Sequence, residues 1–310
     1  MPCYNAAEYL PEALNSVLRQ TFQQWELVVV DDCSTDKSYD ILQTYANKDA
    51  RIRVYRLGTN SGSCKLPRDT AVSYSKGEWV IKFDADDYLH PDCLEKLLLR
   101  QRETDADIVC GRMIFFDAGA NVISTCPEEG FDFSALYTGE QAFCLTINGW
   151  VIGFNGALVR KSIWQSCEHF LSTAFLHQSA DECAEREMLA KARLVACTKA
   201  DYMYRQLENS ISHNKDHLWE WVISDYEIMK MAKVKFGQDS EAYNKAKCAF
   251  VNRLHTILRM DMRNREVPER LCCLLQKLSV ADVLTTSGIP FGKRIKYARH
   301  FIKWKKTLCN

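Results

Sequence analysis

Early in the chain an apolar run twice stops in a cluster of aspartates, and this feature narrows what the sequence can fold into. Residues 25–30 run into Asp31 and Asp32, and residues 78–83, which include one lysine, run into Asp84, Asp86 and Asp87. Short continuous apolar runs between amphipathic helical patterns read as strands of a parallel sheet covered on both faces. Three carboxylates within four residues at a strand end repel one another unless a cation compensates. Oxygen ligands at that density suit Mg2+ or Mn2+ carrying a phosphate. A solvated acidic turn before a helix at Pro91 fits the same stretch, so these residues alone leave both readings open.

The rest of the first half repeats the alternation. Asn5 followed by Glu8 has the form of a helix cap, and Tyr9, Leu10, Leu14, Val17 and Leu18 share one face of a predicted helix over 6–20. Helices are predicted over 37–47, 67–75 and 91–103, with strands over 52–55 and 107–116. Residues 58–63 form a polar, glycine-containing loop. Ligands of open α/β sheets bind at the carboxyl ends of the strands, where these polar loops gather. After residue 117 the pattern loosens into a hairpin or excursion over 117–135 and an aromatic and glycine-rich segment over 148–164. A helix over 182–192, a strand over 194–197 and a loop over 202–213 follow, and from 215 onward the chain reads as helices. The predicted domains are therefore 1–213, an α/β unit, and 214–310, a helical region.

Composition excludes several classes. Lysine plus arginine balance aspartate plus glutamate at 40 each, so no global charge points to nucleic acid. The 14 cysteines lack zinc spacing and read as reduced, mostly buried thiols of a cytosolic protein. No apolar run is long enough to span a membrane. The tail, 291–310, carries seven basic residues and no acidic side chain, interleaved with Ile295, Tyr297, Phe301, Ile302 and Trp304. Such a helix suits either peripheral contact with an anionic membrane face or packing on its own domain.

Taken in order, several motifs resemble the family 2 inverting glycosyltransferases of the GT-A fold. They are Pro2-Cys-Tyr-Asn5, Ser16-Val-Leu-Arg-Gln-Thr-Phe22, Glu26 to Asp36, Asn60-Ser-Gly62 with Arg68, and Asp84-Ala-Asp-Asp87. The resemblance implies a Rossmann-like, mostly parallel sheet with helices on both faces. It implies a nucleotide-sugar donor, with UDP expected, and Mn2+ or Mg2+ as cofactor. The acceptor would be a hydroxyl of a cell-surface glycan or a lipid-linked carrier, and no nucleic acid is involved. Pro2, Asn5 and Glu8 would border the nucleotide, Asp32 would accept the uracil N3 hydrogen, and Arg68 would be the basic partner. Asp84 would lie near the ribose and sugar, Asp86 would ligate the metal, and Asp87 would be a second or outer ligand. Arg205 and Ser210 would meet the phosphates, His213 would complete the metal shell, and Trp150 would border the acceptor.

The catalytic base of the family opens a helix in the second half, which selects Asp181, with Glu182 one position late as the alternative. The usual preceding Glu is Ala180 here. The resemblance also implies an apolar strand ahead of Pro2, and the expectation is that this strand is missing because the start is late or trimmed. A non-catalytic nucleotide-sugar-binding homologue is the alternative function. A receiver domain would need a lone phospho-accepting Asp with a later Lys. A haloacid-dehalogenase-like phosphatase would place its Asp pair on the first strand.

Overall fold

The structure, a computed structural model, describes residues 1–168, 180–207, 218–259 and 269–308. Two compact units divide the chain, Met1–Ser210 and Ile211–Asn310. The first begins β1 (Pro2–Cys3), α1 (Leu10–Leu18), β2 (Leu27–Asp31), α2 (Ser38–Ala46), β3 (Ile52–Arg56), α3 (Lys65–Tyr74) and β4 (Trp79–Ile81). It continues β5 (Tyr88–Leu89), α4 (Cys93–Thr104), β6 (Ile108–Phe116), β7 (Val122–Cys126), β8 (Leu136–Thr138) and α5 (Gly139–Cys144). It ends β9 (Leu158–Arg160), α6 (Lys161–Ser166), α7 (Ala180–Lys191) and β10 (Leu194–Arg205).

Strand direction follows the connections. Helical crossovers give a parallel three-stranded sheet, β1-β2-β3. The second sheet, β4-β9-β6-β10-β5 with β7 and β8 at its sides, is mixed, with β6 and β10 its parallel pair. The expectation of a mostly parallel sheet therefore holds for the first sheet, while hairpin and returning strands make the second mixed. Alternate residues face opposite cores, as the strand repeat of two requires. Val109 and Ala196 pack with Leu10, Leu14 and Leu97, and Ile108, Val195 and Cys197 pack with Met188, Leu189 and Trp164.

Three local predictions need correction. The first helix starts at Leu10, with no side-chain cap, because the Asn5 carboxamide oxygen accepts the Thr35 amide at 2.8 Å instead. The strand read over 194–197 runs to Arg205, so Tyr202, Tyr204 and Arg205 belong to a strand and not to a loop. A register shift between Cys197 and Asp201 interrupts the apolar pattern there and hides the continuation. The aromatic and glycine-rich segment contains β9 and α6.

The N-terminal strand is short, pairing Pro2 with Val30 and Cys3 with Asp31. A cavity of about 590 Å3 lies between Leu27 and Val28 of β2 and Trp79, Val80 and Ile81 of β4, with Met1 and Arg68 in its wall.

The second unit holds α8 (Leu218–Phe236), α9 (Glu241–Arg259), α10 (Glu269–Lys277), α11 (Val280–Leu284) and α12 (Phe291–Leu308). Its core joins Val222, Phe250, Leu254, Leu275 and Ile289 to Ala298 and Phe301 of α12, with Tyr297 and Trp304 packed against them. The tail helix thus turns its aromatics onto its own unit. Arg294 and Lys305 donate to carbonyls of that unit, whereas Lys293, Lys296, Arg299 and Lys303 lie on the exposed side. Among the described residues no helix is long and apolar enough to cross a membrane.

Candidate active site

Three groups of residues build the site, and each is fixed by contacts remote in sequence. In the first, Asp32 follows β2 and is 4% exposed. Its amide donates to the Cys3 carbonyl at 2.7 Å. Its carboxylate accepts the Ser61 amide and hydroxyl, both at 2.9 Å, so the polar loop after β3 holds it in one orientation. Asn5 adopts a left-handed backbone, φ 49°, which asparagine tolerates better than most residues. Its amide donates to Ser34 Oγ at 3.0 Å, which brings the 2–5 segment over the end of β2. Pro2 is buried, and Glu8 is exposed.

The second group is the acidic loop after β4. Tyr202 of β10, fully buried, lies beneath it, donating to Asp87 Oδ2 at 2.6 Å and accepting the Asp84 amide at 3.1 Å. Gly156 allows this approach: its φ is +74°, and a Cβ there would stand 2.4 Å from the Tyr202 ring. The Arg205 amide donates to Asp87 Oδ1 at 2.8 Å, and its guanidinium donates to the Asp86 carbonyl at 3.0 Å and pairs with Glu12. Both Asp87 oxygens therefore brace the loop. Asp84 Oδ2 accepts from Asn155 at 3.2 Å. Burial and the neighbouring Asp84 charge push the Asp86 carboxyl up to about 6, and burial with Asp86 and Asp84 raises Asp87 well above the usual range.

Asp181, in the first turn of α7, opens the third group. Lys82, between β4 and the acidic loop, reaches Glu185 Oε1 at 2.7 Å and Asp181 Oδ2 at 3.5 Å. Burial alone would raise the Asp181 carboxyl, but Lys82 and then Arg68 outweigh it and hold the carboxyl below its ordinary value. Glu182 is otherwise engaged: it pairs with Arg186 and accepts from Trp150 Nε1 at 3.3 Å. Arg186 in turn lies 4.5 Å from the Trp150 ring. Arg68 is 3% exposed, and among the described residues none of its guanidinium nitrogens has a hydrogen-bond partner; Nε lies 3.8 Å from Asp69 Oδ1. Lys65 and Asp69 form a buried pair at 2.7 Å, and Asp69 also accepts from Trp164 at 3.2 Å.

Lys82, two residues before Asp84 in the chain, contacts Asp181 and Glu185 of α7, and the Asp84 charge favours its protonated form. Ser210 and His213 lie outside the described residues. Sequence reasoning gave no role to Lys82, Glu185, Tyr202 or Arg186. A lysine inside a buried strand beside three aspartates was the one local signal.

The donor set suits a hard divalent ion in a particular way. Among the described residues no three His, Cys, Asp or Glu side chains converge as a metal cage. Asp87 is engaged on both oxygens, so Asp86 is the residue of this pair that could hold such an ion, as Mg2+ sites commonly need only one or two carboxylates.

A family model described as glycosyl transferase family 2 matches residues 1–166. Poly(ribitol-phosphate) beta-N-acetylglucosaminyltransferase TarS of Staphylococcus aureus is 38% identical over 115 residues, 36% of this chain and 20% of that protein. Putative teichuronic acid biosynthesis glycosyltransferase TuaG of Bacillus subtilis is 44% identical over 97 residues, 31% of this chain and 38% of that protein. The matches thus span well under half the length of these relatives. The crystal structure of S. aureus TarS 1–349 in complex with UDP matches with a TM-score of 0.68 at 19% identity, over 99% of this chain and 88% of that one. The mannosyltransferase PcManGT from Pyrobaculum calidifontis in complex with GDP-Man and Mn2+ matches with a TM-score of 0.54 at 15% identity, over 97% of this chain and 83% of that one. At those identities the structural matches establish the fold, and the α/β GT-A expectation stands.

Proposed function

The chain belongs to glycosyl transferase family 2, and on that premise we propose that it moves a sugar, with inversion, from a UDP-sugar to a hydroxyl of a cell-surface glycan or lipid-linked acceptor. The observation that carries this reading is the meeting of the acidic loop and Asp181 at Lys82. Asp181, kept ionised, takes the proton of the incoming hydroxyl while that oxygen bonds to the anomeric carbon. The bond from that carbon to the diphosphate breaks on the opposite face, and its electron pair leaves with the diphosphate. Asp32, oriented by Ser61, takes the uracil N3 hydrogen, and Asp84 lies towards ribose and sugar. Asp86 would hold Mn2+ or Mg2+, and the ion would supply charge stabilisation of the leaving diphosphate. Arg68, charged and without a hydrogen-bond partner among the described residues, suits an anionic ligand. The donor class is supported by TarS, which was crystallised with UDP and with UDP-GlcNAc. A screen of UDP- and GDP-sugars with Mn2+, reading nucleoside diphosphate release, should give UDP; turnover only with GDP-sugars would overturn the donor assignment.

Peripheral membrane contact belongs to the same proposal. The exposed side of α12 is cationic, and each basic residue near an anionic surface contributes about 1 kcal/mol. Reversing Lys293, Lys296 and Arg299 to Glu should abolish co-sedimentation with phosphatidylglycerol vesicles at low salt. Undiminished binding would remove the membrane role.

A further inference from the structure

Lys82 and Glu185 are 103 residues apart in sequence, both nearly buried, and joined by a 2.7 Å hydrogen bond. The sugar-transfer scheme uses Lys82 only as the cation beside Asp181 and gives Glu185 no task. A buried ion pair is weak evidence for stability, because removing two charges from water offsets most of their attraction. Its placement is more informative. Asp181 and Glu185 stand one turn apart on α7, so both carboxylates reach the same ammonium. Glu185 takes the short bond, and Asp181 is left at 3.5 Å, too long for a well-formed hydrogen bond.

We propose that Lys82 and Glu185 are positioning residues that set the basicity of Asp181 by sharing one buried ammonium unequally between two carboxylates. The inference rests on the reading of Asp181 as base. The Asp181 side chain is 29% exposed, and without a cation the desolvation of the rest would favour its protonated form, which cannot accept another proton. A carboxylate in a short bond to that cation has the bonded oxygen occupied and is not free to receive a proton from an acceptor. Glu185 draws the ammonium to itself and leaves Asp181 the charge without the bond. Burial raises Glu185 to about 7, so its ionised form depends on the short bond to Lys82, while Lys82 and Arg68 hold Asp181 below its ordinary value and keep it ionised. The other groups facing Asp181 are Arg68 on α3, Cys64 ahead of it, and the Glu182 amide on its own helix. Asp84 acts on the same lysine from the acidic loop.

The arrangement predicts opposite responses from the two partners. In the full chain, Lys82→Met should move the acid limb of the kcat profile up by about one pH unit or more, since an opposite charge has gone. Glu185→Gln should hand the ammonium to Asp181, move the limb down and lower kcat about tenfold, with donor KM within about twofold. Lys82→Arg should keep the limb in place. If a single variant fails to fold, Lys82→Met/Glu185→Gln removes the pair as a unit and should still show the upward shift. Carbon-13 carboxyl NMR titration of Asp181 in the same proteins reads the shift without any acceptor substrate. Limbs that do not move, or that move the same way in both single variants, would overturn the proposal and leave a structural ion pair. Unchanged transfer in Asp181→Asn is a separate outcome that would instead remove the base assignment.

Discussion

Replacing Asp181 with Asn is expected to lower kcat by roughly 10² to 10⁴ while leaving the donor Kd nearly unchanged. The substitution keeps the shape of the side chain and removes its charge and its capacity to take a proton. Two neighbouring carboxylates are candidates to substitute for it, and the geometry argues against each. Glu182 is held by Arg186 and by the Trp150 indole, so it cannot turn towards an acceptor without breaking both contacts. Glu185 is committed to Lys82 and is nearly buried. Because Glu185 still balances Lys82 in the variant, the fold should tolerate the change, and Tm should shift little. Steady-state UDP release gives kcat, and calorimetric titration with the donor gives Kd. A kcat within about threefold of the parent protein would show that another group takes the proton.

The order of elements in the first unit was legible because its strands are continuous apolar runs with abrupt ends. Leu27–Asp31 and the acidic loop after Trp79–Ile81 are local patterns, and the proposed nucleotide side of the site rests on them. What held those patterns in place was not local. Tyr202 supports Asp87 from 115 residues away, and it stood in a segment read as loop because β10 is irregular between Cys197 and Asp201. Asn5 could not be told from a helix cap, since its actual partner, Thr35, is contributed by another loop. Lys82 was visible as an oddity, a cation in a strand core, but its two partners lie on a helix a hundred residues later. The tail shows the same limit in reverse. Its aromatics were compatible with a membrane or with a core, and Ala298 and Phe301 are buried in the helical unit.

Asp86→Ala should abolish metal-dependent turnover, by at least about 10³-fold, since the Lewis-acid contribution it anchors is worth several kcal/mol and each decade is 1.36 kcal/mol. The variant should also be informative without substrate. In the folded protein burial and Asp84 raise the Asp86 carboxyl to about 6, from an ordinary value of 3.8. A carboxyl that holds its proton more tightly when folded stabilises the fold while protonated. That stabilisation declines as pH rises from about 4 through about 6, and above that range the ionised group is a standing cost. Asp86→Ala should therefore raise Tm at pH 7.5 in the absence of metal and leave it nearly unchanged at pH 3.5. Adding Mn2+ with UDP should reverse the order, stabilising the parent protein and not the variant. Equal stabilisation of both by Mn2+ and UDP would place the ion elsewhere, because Asp87, occupied by Tyr202 and Arg205, offers no ready substitute. A site that gains stability when its ligand is removed and loses its reaction at the same time is what a carboxylate retained for a cation, rather than for the fold, must look like.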